Sequence, residues 1–360
     1  MIHEIFYNWF DITLAKYTTV RCIGAAGTAM LLSLMIGPWL IRRLYMLKIG
    51  QPIRKDECPP LHILHRNKQG TPTIGGILII LTVLISTLLW ANLVNPYIWI
   101  SIGVFLSLGL LGFVDDYLKV KRKQSLGLRA KQKFAVQIII AVIFAVIMKY
   151  IEPNGLPLYI PFIKNAVIMD MGWFFILWSI LVLVGASNAI NLTDGLDGLA
   201  TGTTAISILA YGALAYVASR VDTSNYLFIF HSPNASELTI LSAALVGACL
   251  GFLWFNAHPA MVFMGDTGSL ALGGVIGVIA LLIRKECLLL IIGGVFVAEA
   301  LSVILQIASF KLRNGKKIFK MAPLHHHFEM LGWPETHVTI RFLIIAIICA
   351  LAGLATLKTQ

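Results

Sequence analysis

"YIWISIGVFLSLGLLGFVDDYLKVKRK", residues 97–123, runs as apolar chain for most of its length and ends in Asp115-Asp116 followed by four basic residues. About 20 apolar residues make a helix long enough to cross the hydrocarbon of a bilayer. The stretch therefore reads as a membrane span that meets headgroup water at its paired aspartates.

The pattern recurs along the chain, which is 58% hydrophobic and 12% charged over 360 residues. A water-facing surface could not stay free of large apolar patches at that composition. We read an all-α integral membrane protein, one polytopic domain over residues 1–360. Its ten spans fall near 20–41, 74–94, 97–115, 134–150, 172–190, 199–218, 238–256, 268–283, 287–310 and 338–357. No short apolar stretch with a basic leader and a small-residue cleavage site is present, so the first span is expected to serve as the insertion signal. The five cysteines, at 22, 58, 249, 287 and 349, lack any C-x-x-C spacing and read as small core residues.

Lysines and arginines give the spans an orientation. The loops on one side hold 19 of the 28, which by the positive-inside rule makes that side cytoplasmic and puts both termini outside. The net charge of +11 is thus gathered on one membrane face, unlike the footprint of a nucleic-acid binder. Five of nine aspartates, Asp115, Asp116, Asp194, Asp197 and Asp266, fall on that same side, as does His325-His326-His327. Charge beside hydrocarbon is costly, so this gathering points to a site.

Each motif has a plainer alternative. Asp115-Asp116, with Lys119 close behind, sits at a helix C-terminus, where the dipole disfavours acids, so cations or a divalent metal are needed to hold both ionised. In "NAINLTDGLDGLA", residues 188–200, Asn191, Asp194 and Asp197 would share one face of a continuous helix, although Asp-Gly pairs by themselves mark turns. "FNAHPAMVFMGDTGS" (255–269) offers Asn256, His258 and Asp266, the last either a helix cap or a ligand for Mg2+. Lys68 and Thr73 before the second span, and Lys131 and Lys133 before the fourth, would bind lipid headgroups or the phosphates of a ligand. Glu299 is a carboxyl inside a span, a functional suspect that could equally bond a neighbouring helix. Three adjacent histidines make a poor chelate, because neighbouring side chains on a helix diverge by about 100°. They read as hydrogen-bond donors at the wall of a pocket.

Together "GTPTIGG", "GFVDDYLK", "NAINLTDGLDGLA", "FLWFNAHPAMVFMGDTGSLALGG" and "MAPLHHHFEMLGWPE" closely resemble the polyprenyl-phosphate N-acetylhexosamine-1-phosphate transferase superfamily across nearly the whole chain. "APLHHHFE" points within it to the phospho-N-acetylmuramoyl-pentapeptide transferase family. The resemblance implies transfer of phospho-MurNAc-pentapeptide from its UDP carrier to undecaprenyl phosphate, giving lipid I and UMP, with Mg2+. It further implies a homodimer in the bacterial cytoplasmic (inner) membrane. By motif position it implies Asp266 as the metal ligand and Asp115 and Asp116 near the phosphates. Asn191, Asp194 and Asn256 would line the catalytic pocket, with Asp197 and Phe263 at the uridine end. Lys68, Thr73, Lys119 and Lys133 would contact phosphate. The rival expectations are a GlcNAc-1-phosphate transferase acting on the same lipid and a secondary transporter. A transporter would place its site near the bilayer midplane.

Overall fold

The computed structural model describes residues 17–47, 70–122, 127–153, 155–163 and 165–358. Their regular structure is helical, with an isolated antiparallel bridge joining Leu158 to Ile168. In chain order the helices are α1 (Thr18–Met46), α2 (Gly76–Trp90), α3 (Pro96–Arg122), α4 (Ala130–Ile151), α5 (Phe174–Thr193) and α6 (Leu199–Ala218). There follow α7 (Val221–Tyr226), α8 (Ala235–Asn256), α9 (Gly265–Leu282), α10 (Leu289–Ile292), α11 (Gly294–Leu312), α12 (Leu324–Glu329) and α13 (Glu335–Ala355). Nine of these are long and apolar enough to cross a membrane, among the described residues, and α2 is a shorter apolar helix. It packs against α1, α8 and α9 and occupies the second expected span.

One expected span needs correcting. The stretch 287–310 is not a single helix: a 3-10 turn (Glu286–Leu288) leads into the four-residue α10, and the path restarts at α11 after Gly293. Two adjacent glycines, Gly293 and Gly294, are poor helix-interior residues, and the interruption falls on them.

The core is α9, buried almost throughout from Thr267 to Leu282. Its sequence "GDTGSLALGGVIGVIALL" is rich in small residues, which in lipid let backbones approach where no hydrophobic force separates helix from solvent. A methyl group on Gly112 of α3 would strike the Asp266 carbonyl, and one on Gly76 of α2 would strike the backbone of Gly268. Apolar side chains such as Met35, Leu110, Leu177, Trp254 and Ile348 instead point outward to the surface of the bundle, as lipid requires.

At the end of the bundle remote from the aspartates, Arg21 of α1 makes a bidentate pair with Glu237 of α8, at 2.9 and 2.6 Å. Arg21 Nε also donates to the Trp90 carbonyl, and the Asn92 N–H donates to Glu237. The clasp ties together α1, α8 and the far end of α2.

Candidate active site

Four helix ends converge at the other end. Asp115 and Asp116 occupy the last turns of α3, Asp266 the first turn of α9, and one oxygen from each lies within 4.8 Å of the others. Lys119, one turn beyond the pair, reaches Asp115 at 2.7 Å and Asp266 at 3.1 Å. Lys133, from the first turn of α4, reaches Asp266 Oδ2 at 2.7 Å. Its neighbour Lys131 is exposed, because the two lie on different faces of α4. Asn191, in the last turn of α5, donates to Asp266 Oδ1 at 2.8 Å and to Ser269 Oγ.

Local structure fixes the two inner carboxylates. Asp116 accepts from the Thr267 N–H at 3.0 Å and from Thr267 Oγ1 at 2.8 Å, and Asp115 accepts from the Leu128 N–H at 2.7 Å. Asp266 is not a helix cap: Met264 takes the cap position and Asp266 falls inside the first turn. Gly265, at φ +72°, leads into that turn, and a methyl group on it would press on Thr73 Oγ1 and Asp116. Thr73 therefore lies at the cluster. Lys68 lies outside the described residues.

Asn191, Asp194 and Asp197 do not share a helix face, contrary to the reading of a continuous helix. Helix α5 ends at Thr193, Asp194 takes its C-terminal cap, and the chain turns through Gly198 at φ +75° into α6. Asp194 stays with the first cluster. Burial pushes its carboxyl up to about 8, Asp266 and Asp116 adding their negative charge while the Gly265 N–H opposes them.

Asp197 belongs to a second group. Its Oδ2 lies 3.0 Å from His258 Nδ1 and accepts from the Ala260 N–H, while its own N–H donates to Glu335 at 2.8 Å. Asn256 holds the surrounding loops: its Oδ1 accepts from the Gly198 N–H and Thr201, and its Nδ2 donates to the Val262 carbonyl. Phe263 is half-buried, its backbone paired with Pro72 and Gly75.

The histidine run lies in the short helix α12, where each ring has its own polar partner. His325 is fully buried, with Nδ1 3.2 Å from Glu299 Oε2 and its ring against Gly195, where a methyl group would collide with Nε2. His326 pairs with Glu329 at 2.7 Å. His327 accepts from the Lys320 N–H and packs edge-on against Phe319. The rings of His325 and His326 lie 4.1 Å apart, centroid to centroid, but their Nδ1 atoms face different carboxylates, Glu299 and Glu329, and His325 borders the Asp194-Gly195 turn.

Sequence reading singled out neither Thr267 nor Glu335. Thr267 stood in the stretch 255–269, where its hydroxyl beside Asp266 was the available signal; Glu335 closed the stretch "MAPLHHHFEMLGWPE", but its partner Asp197, 138 residues away, could not be read from there. As a donor set, the three carboxylates offer only oxygen, the chemistry of a hard cation such as Mg2+.

Residues 98–284 match the family model described as glycosyl transferase family 4. Three curated relatives share the name phospho-N-acetylmuramoyl-pentapeptide-transferase. The protein of Desulfotalea psychrophila is 53% identical over 96% of this chain and 95% of its own length. That of Desulfatibacillum aliphaticivorans is 52% identical over 96% and 95%. That of Rickettsia felis is 51% identical over 98% and 97%. Likeness of this depth from end to end, on a bundle of apolar helices with carboxylates and lysines at one mouth, means that the chain belongs to glycosyl transferase family 4 and, within it, to the phospho-N-acetylmuramoyl-pentapeptide transferases.

Proposed function

We propose that the chain transfers phospho-MurNAc-pentapeptide from UDP-MurNAc-pentapeptide to undecaprenyl phosphate, releasing UMP and forming lipid I, the first membrane step of peptidoglycan synthesis. The observation that carries this reading is the meeting of Asp115, Asp116 and Asp266 with Lys119 and Lys133 at one end of a membrane bundle. Relatives about half identical over nearly the full length, all bearing the muramoyl-pentapeptide name, favour it over a GlcNAc-1-phosphate transferase. Carboxylates at helix ends, not at the midplane, speak against a transporter.

In this reading Asp266 holds Mg2+, with Asp115 and Asp116 beside it. When bound, the ion offsets phosphate charge and polarises the transferred phosphoryl group. Lys119 and Lys133 place positive charge where two anionic substrates meet, together with Lys68 and Thr73. Asn191 orients Asp266. Asp194, Asn256 and His325 to His327 border the transfer site, while Asp197 and Phe263 shape the uridine end. A phosphate monoester has a second pKa of ~6, so the lipid phosphate is mostly a dianion near neutrality and attacks directly without a strong base. The oxygen–phosphorus bond to the lipid forms as the bond to UMP breaks. A phosphoenzyme isolated without lipid acceptor would overturn direct attack.

The mouth faces the cytoplasm of a bacterial inner membrane and both termini face outward, a reading supported by the basic loops. The chain acts as one domain over residues 1–360. Its family resemblance underlies our expectation of a homodimer, which native mass spectrometry in detergent tests. For the function itself, purified protein is assayed for UMP release with UDP-MurNAc-pentapeptide or UDP-GlcNAc over a Mg2+ titration, beside Asp266→Asn. Release with the muramoyl substrate alone, lost in Asp266→Asn, is expected. Preference for UDP-GlcNAc, or wild-type activity of Asp266→Asn at limiting Mg2+, would sink the reading.

A further inference from the structure

Lys133 of α4 and Asn191 of α5 grip opposite oxygens of Asp266, at 2.7 and 2.8 Å. One turn deeper in the bundle, the same two helices are joined again. Gln137 of α4, only 2% exposed, donates from Nε2 to Ser187 Oγ at 3.1 Å. Its Oε1 accepts from Asn188 Nδ2 at 2.9 Å, and that Nδ2 also donates to the Val184 carbonyl of its own helix. Lys133 and Gln137 are four residues apart, as are Ser187 and Asn191, so the two rungs stack along facing sides of α4 and α5. A third helix seats on the lower rung, since a methyl group on Gly273 of α9 would come within 2.5 Å of the Ser187 Cα. The helix that carries Asp266 is thus packed directly on a clasped residue.

Stability does not explain this polar rung. An apolar side chain at either position would pack among helices without an amide to desolvate, whereas an amide inside a bilayer must be fully partnered. What an amide used at both ends does supply is direction. A slide of one residue along the axis, ~1.5 Å, or a turn of ~100° about it, breaks both bonds of Gln137. Either movement also withdraws Lys133 from Asp266.

We propose that Gln137 and Asn188 are positioning residues for the transfer reaction: their clasp sets the rotation and register of α4 against α5 so that Lys133 and Asn191 close on Asp266 from opposite sides. Neither touches the carboxylate cluster, and both act through the residues one turn above them. The proposal rests on the reading of Asp266 as the centre of the site.

The test compares Gln137→Met, Asn188→Leu and the double variant for UMP release, for the apparent unfolding temperature in detergent and for the Mn2+ EPR line shape. Each single variant is expected to lower kcat by about tenfold or more, with KM for the nucleotide substrate held within about threefold, the scale set by ångström-level misplacement. The unfolding temperature should stay level or rise, the bound Mn2+ spectrum should change, and the double variant should be no worse than the weaker single one. Should Gln137→Met fail to fold, Asn188→Leu reports on the same clasp from the other helix. A kcat within about twofold of wild type, a loss that tracks unfolding temperature, or independent losses that multiply in the double variant would overturn the proposal. Asp266→Asn run alongside separates the two readings. Activity retained there defeats the site itself, whereas a dead Asp266→Asn beside an unimpaired Gln137→Met defeats only the clasp.

Discussion

Gly112 of α3 faces the carbonyl of Asp266 so closely that no side chain fits between them. This contact brings the helix bearing Asp115 and Asp116 against the helix that opens with Asp266. Gly112→Ala must push the two apart, and UMP release is expected to fall by about 10²-fold, as for a misplacement of about 1 Å. Gly103→Ala, on the same helix with nothing within 4 Å of the new methyl, should leave activity unchanged. Equal behaviour of the two variants would show that the close approach does not set the site.

Lys133 and Lys131 share a helical turn but only Lys133 meets Asp266, at 2.7 Å. Lys133→Gln removes a cation from the point where substrate charge gathers, and kcat is expected to drop by about 10²-fold. Lys131→Gln changes an exposed side chain and should cost little. Steady-state assays over a range of ionic strengths distinguish a local loss from general weakening of surface charge.

The Arg21–Glu237 pair is buried on both sides, each side chain being 7% exposed. Arg21→Met strands the Glu237 charge and is expected to destabilise the bundle by about 3–5 kcal/mol. Replacing both, Arg21→Met with Glu237→Leu, removes the stranded charge and should recover much of that loss. Apparent unfolding temperatures of the three proteins check this, and a double variant worse than Arg21→Met would refute it.

Beyond the far end of α9, burial pushes Glu286 from 4.5 up to about 7 and Lys285 from 10.5 down to about 8. Between pH 4.5 and 7 the folded chain keeps a proton on Glu286 that the unfolded chain has released, so that contribution to stability falls as pH rises. Between pH 8 and 10.5 the unfolded chain carries a proton on Lys285 that the folded chain lacks, so stability rises with pH. Their joint contribution is therefore lowest between about pH 7 and 8. Glu286→Gln should flatten the acid limb and Lys285→Met the alkaline limb of unfolding temperature against pH. Wild-type and doubly substituted curves of the same shape would count against this assignment.

The spans were legible because a bilayer demands long apolar helices, and among the described residues hydropathy placed nine of the ten stretches on single helices to within several residues. The interruption at Gly293 was not, since apolar content stays high across it. The carboxylates could be assigned to one end of the bundle because loop charge orients the spans. Their partners were harder to see. Asn191, Asp194 and Asp197 have helical spacing, yet the end of α5 at Asp194 and the left-handed Gly198 send Asp197 to His258 and Glu335. Glu237 finds Arg21 across 216 residues, and Gln137 finds Ser187 across 50, distances at which no local pattern operates. Gly112 looked like an ordinary small residue in a span until the helix facing it was known.

Helix α2 has only 15 residues, about 22 Å of rise, against a hydrocarbon layer of about 30 Å. It starts at Gly76, against Gly268 and next to the carboxylates, and its other end is pinned at Trp90 by Arg21. A layer of that thickness, with the Trp90 end of α2 at one face, would leave the carboxylate end several ångströms short of the other. Bilayer thickness is then expected to act on turnover: short acyl chains would bring a lipid phosphate toward the carboxylates, and long ones would hold it away. Turnover in nanodiscs of graded acyl length would trace that dependence, with the surrounding membrane acting as a rheostat that binds nowhere in particular.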